Sequence, residues 1–81
     1  MRLDKFLKVS RVIKRRTVAN EACEKGRVSI NGRVAKPSGK VKAGDIVEIT
    51  FGSGSTKIKV LAVTEHATKE TAREMYEILT D

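Results

Sequence analysis

The chain has 81 residues, a formal net charge of +7, 40% hydrophobic residues, one cysteine and no tryptophan. That length holds one domain whose single core typically nets only about 3–5 kcal/mol, which argues against a deep active site. One cysteine excludes an internal disulfide, and no apolar run approaches the roughly 20 residues of a membrane span, so a cytoplasmic monomer without a membrane partner is expected.

"RLDKFLKVS" places Leu3, Phe6 and Leu7 at i, i+3, i+4, the apolar stripe of a short helix. Arg2, Lys5 and Lys8 step by three along a neighbouring face, with Asp4 as an N-terminal acid that favours the helix dipole and can pair with a nearby arginine. Arg11 to Arg16 reads as a connection pinned to the core by Val12 and Ile13. Thr17 is the expected N-cap of a second helix that buries Val18, Ala19, Ala22 and Cys23, exposes Asn20, Glu21 and Glu24, and stops at Gly26.

"RVSINGRVAK" predicts a hairpin, because Asn31-Gly32 suits a two-residue turn in which both residues need positive φ. Lys36 to Lys40 breaks the ladder as a loop, and "VKAGDIVEITF" gives a turn at Lys42 to Asp45 and a strand with Val47, Ile49 and Phe51 on one face. Gly52 to Thr56 reads as a flexible hairpin tip, with Ile58, Val60 and Ala62 alternating in the return strand. Ala72, Met75, Tyr76 and Leu79 then form the stripe of a last helix after Thr68. Two helices, a small antiparallel sheet and a C-terminal helix make an α+β fold.

The charge is divided along this order. Thirteen Lys or Arg stand against three acids from Met1 to Lys42, and four against seven from Ala43 to Asp81. A basic front on a mildly acidic support suits a polyanion, with nucleic acid first and acidic membrane second. Too few exposed aromatics are available for membrane insertion or for stacking on single strands. The acids expected on the second helix would repel a DNA groove, which leaves backbone recognition of structured RNA.

Catalysis finds no constellation. His66 is a lone histidine beside a strand end, Cys23 falls on a core face without a base, and one Cys with one His cannot make a zinc set. "GSGST" lacks the lysine and the strand-to-helix setting of a phosphate loop. No enzyme activity, metal or cofactor is expected.

The motifs carry a resemblance. "RLDKFL" (Arg2–Leu7), "KRRT" (Lys14–Thr17), "GRVSINGR" (Gly26–Arg33), "KPS" (Lys36–Ser38) and "VKAGDIV" (Val41–Val47) resemble the S4, or alpha-L, RNA-binding domain. The core motif covers about residues 2–47, with further strands and a helix over 48–81, in one domain spanning 1–81. The opening "MRLDKFLKVSR" and the closing "MYEIL" are similar to those of stand-alone bacterial members that act in ribosome-associated quality control. The resemblance implies binding to large ribosomal subunits that carry peptidyl-tRNA, with contacts to large-subunit rRNA and P-site tRNA. It also implies work alongside RqcH, which extends the stalled chain with alanine without a template. Heat-shock-type relatives share the opening and recycle large subunits, which gives the alternative. The expected RNA contacts are Arg2, Lys5, Lys8, Arg11, Lys14, Arg15 and Arg16, followed by Arg27 and Arg33 beside the hairpin.

Overall fold

The structure, a computed structural model, describes residues 1–79; Thr80 and Asp81, the end of the predicted 48–81 segment, lie outside the described residues. Helices α1 (Leu3–Val9) and α2 (Arg16–Glu24) precede strands β1 (Val28–Ile30), β2 (Arg33–Val34), β3 (Ile46–Phe51) and β4 (Gly54–Val60). A short α3 (Lys69–Ala72), a 3-10 turn (Arg73–Met75) and β5 (Tyr76–Leu79) follow. The sheet is antiparallel in the order β2-β1-β3-β4-β5.

Register explains the core. Val28 pairs Ile49 and Val47 pairs Ile58, so the buried residues of β1, β3 and β4 share one face. Leu3, Phe6 and Leu7 from α1 and Ala19 and Cys23 from α2 join them in one cluster, with Ile13, Val41, Val60 and Met75. The alternate positions put Glu48 opposite Lys57, and Lys59 opposite Glu77. The acidic support thus sets its charges against its own lysines, whereas the basic front has few acids to meet.

Helix α2 ends at Gly26, whose φ of 72° lets its N–H donate to Cys23 while the Arg27 N–H reaches Ala22, closing the helix end on both carbonyls. Its start differs from the expected one. Arg15, not Thr17, is the N-cap: it is extended and its carbonyl accepts from the Ala19 N–H at 3.0 Å. Thr17 lies within the first turn, so its hydroxyl is too far along to cap. Val18 is 47% exposed rather than buried, because Ala19 and Cys23 define the inward line and Val18 is rotated about 100° from it.

The turns at Asn31-Gly32 and at Lys42 to Asp45 are bound together. Asn31 donates through Nδ2 to Asp45 Oδ1 at 3.1 Å and accepts through Oδ1 from the Ile46 N–H at 2.9 Å. The second carboxylate oxygen of Asp45 accepts from the Lys42 N–H at 3.0 Å. These two pieces of the motif are therefore one hydrogen-bonded corner.

Helix α1 has no side-chain cap. The loop after β2 supplies the acceptors: the Leu3 N–H donates to the Gly39 carbonyl at 2.7 Å and the Asp4 N–H to that of Pro37 at 3.2 Å. A Cβ at Gly39 would stand 3.0 Å from the Lys36 carbonyl oxygen. Gly39→Ala is therefore expected to cost about 1 kcal/mol in chemical denaturation, with α1 fraying first in amide exchange.

The second half departs from the expected pattern. The tip between β3 and β4 is a tight two-residue turn, since Phe51 pairs Gly54, and Gly54 to Thr56 belong to β4. Phe51 keeps to the predicted face but lies beyond the core at 47% exposure, and Ala62 falls after the strand end and is exposed. The C-terminal helix begins after Thr68 as expected, with a Thr68–Thr71 capping box, but lasts one turn. Tyr76 to Leu79 instead pair with β4, covering an edge whose backbone groups would otherwise stay open.

Candidate nucleic-acid interface

Asp4 lies on the first turn of α1 and is only 2% exposed. Its Oδ1 accepts from the Lys5 N–H at 2.8 Å and from Arg2 Nε at 3.2 Å. Its Oδ2 accepts from Arg2 Nη2 and from Asn20 Nδ2, both at 3.3 Å, and faces Arg16 Nε at 3.5 Å. Two guanidinium groups that would repel one another thus share one carboxylate. The side chains of Arg2 and Arg16 remain 49% and 47% exposed, so each is held at its inner edge and available at its outer one. Burial by itself would push the Asp4 carboxyl up. The hydrogen bonds from Asn20 and Arg2, with the charges of Arg16 and Arg2, outweigh it and hold the group below the usual carboxylate range.

An arginine beside Asp4 is as expected, whereas Asn20 is not on the exposed face the spacing predicts. Asn20 is half-buried and crosses from α2 to α1, one turn after Arg16. With Asp4, Arg16 and Thr17 it lines an open cleft of about 320 Å³. No side chain caps α2 at this point. The start of α2 and the oriented Arg16 therefore share one concavity, with Arg2 held on the other side of the Asp4 carboxylate, an arrangement that matches an anion.

The other predicted cations divide into groups. Lys5 is ion-paired with Glu65, a contact that depresses the Glu65 carboxyl through hydrogen bonding and the ammonium charge. Lys8, Arg11 and Lys14 line a second cleft at the other end of α1. Arg15 is exposed at the α2 N-cap. Among the described residues, Lys8, Arg11, Lys14 and Arg15 make no ion pair. Arg27 stands elsewhere, in a mostly apolar groove with Val18, Ile49 and Phe51 on the opposite flank of α2, and Arg33 sits exposed on the edge strand β2. Seven of the nine predicted residues thus lie between the start of α1 and the start of α2, but divided between the Asp4 site, the Lys5–Glu65 pair, the second cleft and the exposed Arg15.

Cys23 is buried, and burial with the nearby Asp4 and Glu24 charges pushes its thiol up to about 11. It packs as a small apolar side chain. Among the described residues no group of His, Cys, Asp and Glu is arranged to hold a metal ion, and no helix is long and apolar enough to cross a membrane.

The family model described as the S4 domain matches residues 1–47. The chain belongs to the S4 domain family. It is 57% identical over 79 residues to the RQC P-site tRNA stabilizing factor of Listeria innocua serovar 6a, covering 98% of this chain and 86% of that protein. It is 52% identical over 79 residues to the factor of the same name from Bacillus subtilis strain 168, covering 98% and 92%. Among solved structures, the trimeric heat shock protein 15 of Vibrio cholerae superposes with a TM-score of 0.88 at 30% identity, covering 98% of this chain and 81% of that one. The matched S4 residues contain Asp4, Arg2, Arg16 and Asn20, while Glu65 lies beyond them.

Proposed function

We propose that this protein is a non-catalytic RNA-binding factor of bacterial ribosome-associated quality control, acting in the cytoplasm as a monomer. It binds large ribosomal subunits that carry a stalled peptidyl-tRNA, touches large-subunit rRNA and the P-site tRNA, and holds the tRNA while RqcH adds alanine to the nascent chain. The whole chain works as one unit, with residues 1–47 presenting the RNA face and the remaining strands supporting it. The observation that carries this reading is the pair of arginines oriented by Asp4, Arg2 at the start of α1 and Arg16 at the uncapped start of α2. The names of the relatives described above support the setting, and the uncompensated charge of α1 and its connection supports the RNA.

If about six phosphates are engaged, the affinity for large subunits should fall with salt along a log–log slope near −4 to −5. Co-sedimentation across a salt series reads that slope, and a flat response would overturn the phosphate reading. The likeness to heat shock protein 15 favours a second reading, recycling of large subunits without a part in tailing. Reconstituted alanine addition with and without the protein separates the two, because a recycling factor leaves tailing unchanged.

A further inference from the structure

Among the described residues Arg11 is one of two non-glycine residues with positive φ, at 64°, and it sits directly after the C-cap of α1. Glycine is the ordinary occupant of such a position, since a Cβ there crowds the following carbonyl. Arg11 therefore holds a strained backbone position with its side chain exposed. That side chain opens onto a cleft of about 340 Å³ lined also by Lys8, Lys14, Glu65, His66 and Ala67. Three basic side chains, those of Lys8, Arg11 and Lys14, line this space. Its one carboxylate, Glu65, is already paired with Lys5 from the α1 flank. The walls come from two distant parts of the chain: the end of α1 with its connection, and a segment after β4 that lies outside the matched S4 residues 1–47.

We propose that this cleft is a second phosphate seat, separate from the one at Asp4, which grips a phosphodiester of the same bound RNA with Arg11 as its central donor and residues 65–67 as its outer wall. The inference rests on the RNA reading above and adds to it a recognition element outside the family motif. Pairing with Lys5 offsets the Glu65 charge, which would otherwise oppose the ligand.

Arg11→Gly tests this cleanly, because it removes the cation while suiting the left-handed backbone. Binding of a fluorescent RNA hairpin by the full chain should weaken about three- to tenfold, and the salt slope should become shallower by about 0.7–0.9, with the thermal midpoint unchanged or raised. Glu65→Gln, which removes that charge, should tighten binding about twofold. Arg16→Ala serves as the reference for the seat at Asp4. If Arg16→Ala weakens binding while Arg11→Gly and Glu65→Gln leave affinity and slope unchanged, the second seat is overturned and the RNA reading stands. If all three leave binding unchanged, the RNA reading falls with it.

Discussion

Asp4→Asn is expected to destabilise the protein by about 2 kcal/mol and to weaken RNA binding at the same time, because the carboxylate orients both Arg2 and Arg16. The substitution keeps the volume but presents an amide to a site made of donors: the guanidinium groups of Arg2 and Arg16 and the amide of Asn20. Without the carboxylate the two arginines repel and lose their common anchor. The value is set below the 3–5 kcal/mol of a broken buried ion pair because both arginines are about half exposed and can turn to water. The pH dependence has a definite sign. Since the fold holds the Asp4 carboxyl below its ordinary range, the unfolded chain takes up the proton first. The contribution of Asp4 is therefore complete above about pH 4 and is lost as pH falls through the folded value. Urea melts at neutral and acid pH should show the wild-type advantage over Asp4→Asn shrinking toward acid; a constant difference would mean that charge is not what Asp4 supplies.

Removing both arginines, as Arg2→Ala with Arg16→Ala, should lower affinity for large subunits by about 3 kcal/mol, more than a hundredfold. Each loses a charge-assisted fork to phosphate, and the loss should exceed that from any two of the unpaired surface lysines. Stability is expected to fall by less than in Asp4→Asn, by about 1 kcal/mol, provided Asn20 and the Lys5 N–H still satisfy part of the carboxylate. The single variants should couple through their shared partner. A double-mutant cycle that gives strict additivity in binding would mean that the two arginines act independently of Asp4.

Much of the front is legible in the residues themselves. Asn31-Gly32 announces its turn because few other pairs accept positive φ twice in succession, and both residues take it, at 51° and 84°. Leu3, Phe6 and Leu7 announce α1 because a three-four spacing has few other uses. Asp4 offered a subtler signal: it lies three residues before Leu7, close to the apolar stripe, where an ionised group needs partners. Which partners could not be read, because Arg16 and Asn20 reach it only once α2 folds back over α1. The same limit misled the reading at Thr17, where local capping preference yielded to a helix start fixed at Arg15. At Tyr76 to Leu79 a short apolar pattern fits helix and strand alike, and the unpaired edge of β4 decides between them. Glu65 gave no signal, since its partner is Lys5, sixty positions away.

The loop that receives the first N–H groups of α1 has a bearing on how the RNA face comes into being. A helix of seven residues has little persistence alone, since isolated helices below about 12–15 residues are marginal in water. Its closing acceptors, Pro37 and Gly39, are translated more than thirty residues after Leu3. A nascent chain released short of Gly39 would therefore have every arginine of the α1–α2 unit without the acceptors that hold the start of α1 in place.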